Sequence, residues 1–439
     1  MSEKDDSKVV ATDLSRSERR RAVREAAKAV APALRQTLHA EGMSAFVNRV
    51  GLEAFQEVLE DEINEACGVT GKWEQCRETR HGYRNGRAPG VVWIGGRSVC
   101  IERPRAISTE GGGEILLPSY LKAQDPEYLS HAVLTHTVMG VSLRKYRPTI
   151  LTAMPMEAGL ESPGLSKSSI GRRFIAAADR SAEHYLKRPL EERFLVVWID
   201  GVSAGDFGFI SALGLTTSGK KEILGLRQGS TENSTLCAEF LEDLISRGFS
   251  AKRGVLFVVD GSPAISKALR EVFGADVLIQ RCQVHKKRNL IDKLPDSAHE
   301  AISANLAEVF SAETATLAMA KAELLARSLE AQKHYEAANS LREGGPELFT
   351  CCRLGIPSEL WGSLTNTNPI ESTFSNYRSA TRRIKRWCHG QQVVRWAAVT
   401  LQVAEKSFES VGNPQLLSKL AIALERAVRK GREPLALTG

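Results

Sequence analysis

The 439-residue chain is 42% hydrophobic and 25% charged, and its formal net charge is +7. This composition is typical of a soluble globular protein, and the length allows two or three domains with hydrophobic cores. Eight cysteines follow no disulfide-framework spacing, which predicts reduced thiols in a cytoplasmic protein. The opening MSEKDDSKVV has no apolar core, and no apolar run is long enough for a bilayer. The sequence therefore predicts neither a secretory signal nor a membrane span.

The first part of the chain has a helical pattern. Apolar residues recur at three- and four-residue spacing from Ser17 to Leu59, after a basic start. The acidic residues between Glu53 and Glu65 are interpreted as a solvated helix face. We expect residues 1–70 to form an N-terminal helical region.

Residues 71–125 are rich in arginine and glycine. Val91–Ile94 and Val99–Glu102 predict a short hairpin around two glycines, flanked by basic loops. Arginines in such loops suit contacts with DNA phosphates, and the candidates are Arg80, Arg84 and Arg87. The alternative is a solvated loop that is basic for no functional reason.

Residues 126–190 are again helical in pattern. Ser166 is a candidate helix cap, followed by Arg172 and Arg173 on an exposed face. This arrangement is typical of the recognition helix in a helix-turn-helix DNA-binding region. Any capped amphipathic helix looks similar, so both interpretations stay open.

Residues 191–295 predict an α/β core. FLVVWID and VLFVVDG are continuous apolar runs that end in Asp200 and Asp260, and together with their neighbours they predict the order β-β-β-α-β-α-β. Continuous apolar strands alternating with helices indicate a central sheet covered on both faces. We expect a helical insertion at 296–365, a core segment at 366–410 with a Glu-bearing helix, and a C-terminal helix and tail at 411–439.

Glu371 lies in the first turn of that later helix. One interpretation is a capping box, with Asn368 as the cap, Pro369 at the first helical position and Glu371 three residues after the cap. The other is a metal ligand. Basic residues suited to DNA follow at Arg378, Arg382 and Arg383.

Three carboxylates favour the second interpretation. Asp200 and Asp260 are predicted at the carboxyl ends of adjacent strands, where ligand sites form in α/β sheets. With Glu371 they would supply hard oxygen ligands for two Mg²⁺ or Mn²⁺ ions roughly 3.5–4 Å apart. Such ions support phosphodiester chemistry without a protein nucleophile. Cys282 and His285 form only half of a zinc site and are interpreted as a structural or DNA-facing pair. Lys286, Lys287 and Arg288 add positive charge beside them.

These motifs resemble the Mutator-type family of bacterial insertion-sequence transposases. The resemblance rests on the segments WIDGV, VVDGSPAI, RCQVHKKRNL and NPIESTFSNYR in that order, and on HGYRNGR near the N-terminus. It implies a DDE transposase with an RNase H-like core, in which Asp200, Asp260 and Glu371 bind the metal ions. It also implies that Cys282 and His285 are the family's motif near the site. The chain differs from the usual pattern after Glu371, where the basic residues begin only at Arg378.

The resemblance implies Mg²⁺-dependent cleavage and strand transfer on double-stranded DNA, at terminal inverted repeats and at target DNA. It also implies a bacterial, nucleoid-associated location and a homodimer or higher homo-oligomer that holds two DNA ends. Two rival classes are a different RNase H-like nuclease and a catalytically inactive DNA-binding regulator. The long flanking regions disfavour the first, and the intact Asp200, Asp260 and Glu371 disfavour the second.

Overall fold

The computed structural model describes residue 35 and residues 43–68, 80–94, 96–153, 164–411 and 414–432. It divides into two compact units, residues 1–137 with 141–173, and residues 138–140 with 174–439. The basic helix start predicted near Ser17 lies outside the described residues. No helix in the described ranges combines the length and apolar character that crossing a bilayer requires.

The first unit is built on a two-stranded antiparallel hairpin. Helix α1 spans Met43–Cys67, strand β1 Gly82–Ile94 and strand β2 Arg97–Ser108. Three short helices follow: α2 Pro118–Ala123, α3 Pro126–Val138 and α4 Tyr146–Ala153. Leu59 and Ile63 of α1 pack on Val92 and Val99 of the hairpin. Burial of its apolar side chains therefore holds α1 on one face of the hairpin.

The hairpin is much longer than the sequence predicted. Pairing runs from Ile94 with Arg97 back to Gly82 with Ser108, and it is interrupted by a bulge between Arg84 and Arg87. The arginine-rich segment predicted as loop is therefore mostly strand. Its first half is exposed on both faces, so it carries none of the apolar alternation by which strands are recognised.

The second unit contains a five-stranded mixed sheet. After helix α5 (Lys167–Leu186), the elements are β3 Phe194–Ala204, β4 Phe207–Thr216, β5 Lys221–Gln228, α6 Ser234–Ser246, β6 Leu256–Val259, α7 Pro263–Phe273 and β7 Leu278–Arg281. This confirms the predicted order of strands and helices. The strands lie side by side as β5-β4-β3-β6-β7. Strands β3, β4 and β5 are antiparallel neighbours, whereas β6 and β7 run parallel to β3.

Both faces of the sheet are buried. Val197 and Ile199 of β3 point into a core formed with α6 and α7. Val196 and Trp198 point into the opposite core, formed with later helices that include Ile370 and Phe374. Because side chains alternate along a strand, the next residue on this second face is Asp200.

The remaining helices close the second unit. They are α8 Gln283–Ile291, α9 Asp296–Phe310, α10 Ala315–Ala331, α11 Tyr335–Gly344, α12 Thr350–Arg353, α13 Trp361–Leu364, α14 Asn368–Thr381, α15 Gly390–Glu405 and α16 Pro414–Arg432. Leu306, Leu325 and Leu341 give α9–α11 a core of their own. Residues 344–368 contain short helical turns because buried apolar residues such as Phe349 and Leu364 anchor them.

Candidate active site

Two aspartates lie at the carboxyl edge of the parallel strands. Asp260 directly follows β6, as predicted. Asp200 does not end its strand, because β3 continues to Ala204 by pairing with β4, and Asp200 lies opposite Ser211. Its pairing with β6 ends one residue earlier, at Ile199. Asp200 therefore stands where the parallel ladder stops, beside the loop that carries Asp260.

Glu371 reaches this edge from helix α14. The helix begins at Asn368 with Thr367 at the N-cap, and no side chain caps it there. The capping-box interpretation is therefore wrong, because Asn368 is already helical. The Glu371 side chain instead accepts a hydrogen bond from Thr367 Oγ1 at 2.9 Å. The carboxylate also lies 3.8 Å from His285 Nε2, outside its own helix.

Asp200 lies within electrostatic reach of both Asp260 and Glu371. The pKa of Asp200 is raised to about 7, chiefly by burial and in smaller part by the neighbouring charges of Asp260 and Glu371. A hydrogen bond from the Gly201 amide, 2.7 Å from Asp200 Oδ1, and the charge of His285 act in the opposite direction. Asp260 Oδ1 accepts the Ser262 amide at 2.8 Å. A buried carboxylate beside two others is a position that favours a bound cation.

The Cys282–His285 pair adjoins the carboxylates. Cys282 is at the N-cap of α8, and its sulfur accepts the backbone amide of His285. Hydrogen bonding to Cys282 raises the pKa of His285 to about 9. Burial would raise the pKa of the Cys282 thiol, but hydrogen bonds from His285 and Thr367 outweigh it and lower the pKa. The raised pKa favours the imidazolium form of His285, whose Nε2 lies 3.8 Å from Glu371 Oε1.

Thr367 connects these groups, and the sequence analysis did not select it. The residue is fully buried. Its Oγ1 lies 2.9 Å from Glu371 Oε1, 3.3 Å from His285 Nδ1 and 3.4 Å from Cys282 Sγ. The only local signal was a hydroxyl residue directly before a helix, which is usually a cap. Its contacts with residues more than 80 positions away cannot be seen in a local pattern.

The donor set fits divalent cations by its chemistry. Carboxylate oxygens are the preferred protein ligands of Mg²⁺ and Mn²⁺. Burial and the negative charges of Asp260 and Glu371 both oppose the ionisation of Asp200. Among the described residues, no three His, Cys, Asp or Glu side chains already form a group that could hold an ion.

The predicted DNA-binding arginines of the first unit have protein partners. Arg84 and Arg87 both bind Glu60, at 2.9 and 2.5 Å. Arg80 lies over the ring of Tyr83, at 5.1 Å from its centroid. Glu60 belongs to the acidic face of α1 that was predicted to be merely solvated, and this residue instead neutralises two arginines across the fold.

The recognition-helix candidates lie at the start of α5. Ser166 Oγ accepts the Ser169 amide at 3.2 Å and so acts as a cap. Arg173 stacks over Trp93, at 5.0 Å from its centroid, whereas Arg172 is exposed. These positions leave the prediction of DNA recognition open.

The basic residues of the second unit differ in exposure. Arg288, Arg378, Arg382 and Arg383 are exposed, and Arg383 donates to the carbonyl of Gly140. Lys287 is half-buried. Lys286 is only 4% exposed and bonds to Glu343 and to the Ser340 carbonyl. Of the described residues predicted to bind DNA, Lys286 is the only one that is buried.

Comparison with known proteins supplies the family. The sequence model described as "Transposase, Mutator family" matches residues 23–410. The transposase of insertion sequence element IS6120 from Mycolicibacterium smegmatis is 29% identical over 259 residues, covering 56% of this chain and 75% of that protein. The transposase of IST2 from Acidithiobacillus ferrooxidans is 28% identical over 275 residues, covering 61% and 91%. The transposase of IS406 from Burkholderia multivorans is 26% identical over 351 residues, covering 76% and 85%. The match over most of its length shows that this chain belongs to the Mutator family of insertion-sequence transposases.

Proposed function

We propose that this transposase cleaves DNA at the terminal inverted repeats of its element and joins the freed ends to target DNA. Its catalytic core would be RNase H-like, with Asp200, Asp260 and Glu371 binding two Mg²⁺ or Mn²⁺ ions. The observation that carries the proposal is the placement of Asp200 where its strand's parallel pairing with β6 ends, beside Asp260, on the sheet face that the Glu371 helix covers. The strand order β5-β4-β3-β6-β7, with three antiparallel and two parallel strands, supports the assignment of the core.

Each residue of the site has a role in this proposal. Asp200, rigid in the middle of β3, and Asp260, on the loop after β6, would hold the ions at the edge of the sheet. Thr367 fixes the Glu371 carboxylate through the 2.9 Å hydrogen bond. The imidazolium of His285, 3.8 Å from Glu371, would add positive charge toward a DNA phosphate. When bound, the ions supply activation of the attacking oxygen and stabilisation of the leaving oxygen.

The DNA would be held by basic side chains outside the carboxylate cluster. Exposed Arg378 lies in the helix that carries Glu371, and exposed Arg382 and Arg383 follow its last residue, so they would meet the backbone of the same DNA molecule. Residues 1–190 are proposed to recognise the terminal repeats, with Arg80, Arg84, Arg87, Arg172 and Arg173 as candidates. Because two element ends must be cut together, we expect a homodimer or higher homo-oligomer on DNA.

The test is a cleavage and joining assay on DNA that carries the ends of the element. We expect Asp200→Asn, Asp260→Asn and Glu371→Gln each to lose both products while still binding the DNA. Asp206→Asn, on the exposed turn between β3 and β4, is the matched control and should keep both. Full activity in any of the first three variants removes that residue from the proposed triad. Cleavage without joining by the native chain would instead indicate a plain nuclease, and the absence of both would indicate a regulator.

A further inference from the structure

An open pocket of about 560 Å³ adjoins Asp260 in the second unit. Its walls are the loop 260–263, the end of β7 at Arg281, helix α8 and the last turn of helix α11. Asp260 lines this pocket together with residues that the proposed chemistry does not use, among them Arg281 and Glu343.

Two buried cations line this pocket. Arg281 is 9% exposed and Lys286 is 4% exposed. Both bind the same carboxylate: Arg281 Nη1 lies 2.7 Å from Glu343 Oε1, and Lys286 Nζ bonds Glu343 Oε2. The Glu343 side chain, in contrast, is 55% exposed. A carboxylate that is more than half exposed thus serves as counter-ion for two buried cations.

The pocket lining carries three cations, Arg281, Lys286 and Lys293, and three carboxylates, Asp260, Asp292 and Glu343, but the ion pairs of Arg281 and Lys286 are made with Glu343. Burial lowers the pKa of Lys286 despite its bond to Glu343. The Nε atom of Arg281 has no hydrogen-bond partner among the described residues. Asp260 and Asp292 also line the pocket, but neither forms an ion pair with Arg281 or Lys286 within the described ranges.

The start of helix α7 opens on the same space. The helix begins at Pro263, and residues 261–263 line the pocket, so the positive end of the helix dipole faces it. Gly261 has φ +105°, and a Cβ there would lie 2.6 Å from Arg281 Nη2. Arg281 also donates to the Gly261 carbonyl at 3.3 Å. Only glycine lets the backbone after Asp260 approach the guanidinium this closely.

We propose that Arg281 and Lys286, with the N-terminus of α7, form a subsite for a backbone phosphate of the DNA strand bound beside Asp260. Glu343 fills this subsite in the DNA-free chain and leaves it when the phosphate enters. A phosphate offers Arg281 two oxygens in the geometry that a carboxylate offers, and its oxygens can bind Arg281 and Lys286 together as those of Glu343 do. The inference rests on the proposed function only in naming DNA as the source of the phosphate.

The first test measures anion binding without DNA. Thermal midpoints of the full chain are compared in chloride and in inorganic phosphate at equal ionic strength, for the native chain, Glu343→Gln and Glu323→Gln. Glu323 is the matched control because it also pairs with arginines in the helical insertion but does not line the pocket. We expect Glu343→Gln to have the lowest midpoint in chloride and to gain most from phosphate. Equal gains in the two variants would make Glu343 a structural counter-ion only and overturn the proposal.

The second test measures double-stranded DNA binding as a function of salt, without divalent cations. Removing the internal competitor in Glu343→Gln should tighten binding and make the slope of log K against log salt more negative by about 0.9, the value for one added phosphate contact. Adding Lys286→Met to Glu343→Gln should abolish that change. A phosphate effect with no change in the DNA slope contradicts the assignment to DNA. Because neither test uses cleavage, both can succeed even if the proposed metal triad fails.

Discussion

At the scale of single residues, the site consists of polar groups in energetically unfavourable positions that their neighbours hold in place. Asp200 is nearly buried between an apolar strand and two other carboxylates, a position that opposes its ionisation. Thr367 contributes one hydroxyl to three partners, of which Glu371 is the nearest. Such groups lower the stability of the ligand-free protein, and they are typical of ligand-binding and catalytic sites.

The raised pKa of Asp200 predicts a pH-dependent stability. The pKa is about 7 in the folded chain against 3.8 ordinarily, so the unfolded chain releases this proton first as the pH rises. The free energy of unfolding therefore falls between about pH 4 and pH 7, by about 4 kcal/mol at most. In EDTA at pH 8, we expect Asp200→Asn to melt at a higher temperature than the native chain, with the difference shrinking toward pH 4. Asp206→Asn is the exposed control, and an equal rise in that variant would contradict the explanation.

Thr367→Val tests the positioning of Glu371. Valine keeps the shape of the side chain and removes the hydroxyl, so cleavage should slow by about 10–100-fold while DNA affinity is kept. Thr365→Val is the control, because Thr365 Oγ1 bonds only the Trp361 carbonyl in the described structure. If Mn²⁺ affinity and the cleavage rate change equally in both variants, Thr367 has only a structural role.

At the scale of elements, the sheet could be predicted from sequence where burial is continuous. The runs FLVVWI and VLFVV are apolar on both faces, so β3, β6 and the position of Asp260 followed directly. The extent of β3 beyond Asp200 could not be predicted, because its pairing with β4 is a tertiary contact. The same holds for the long hairpin, whose exposed half lacks an apolar pattern, and for the pairing of Arg84 and Arg87 with Glu60.

The position of Glu371 depends on the packing of helix α14. Phe374 is fully buried and meets Phe209 of β4 edge-on, with ring centroids 5.8 Å apart. Phe374→Ala should cost about 3–5 kcal/mol in the free energy of unfolding measured by denaturant. It should also reduce cleavage at temperatures where the variant is still folded, because α14 would no longer be fixed on the sheet. Ser375→Ala, one residue away on the exposed face, should change neither.

At the scale of the whole molecule, a net charge of +7 is modest, so its distribution matters more than its size. Part of the positive charge is neutralised internally, as where Glu60 binds Arg84 and Arg87 and Glu343 binds Arg281 and Lys286. The exposed arginines at and just after the end of α14 have no carboxylate partner in the described structure. They come later in the chain than Glu371, which lies in the first turn of the same helix and is proposed to bind metal.

This distribution predicts which arginines contribute to DNA affinity. Arg378→Gln and Arg382→Gln should each weaken DNA binding on every sequence and make the salt slope shallower by about 0.9, as expected for the loss of a phosphate contact. Arg327→Gln, on the helical insertion and paired with Glu323, is the control and should leave the slope unchanged. Unchanged slopes in all three variants would place the DNA on another surface.

The central claim is that Asp200, Asp260 and Glu371 bind divalent cations together with DNA. The most direct measurement is the number of Mn²⁺ ions bound by the full chain in complex with DNA carrying an element end. We predict two ions per active site for the native chain and fewer for Asp200→Asn, with Asp206→Asn unchanged. Equal Mn²⁺ binding by the native chain and Asp200→Asn would contradict the claim.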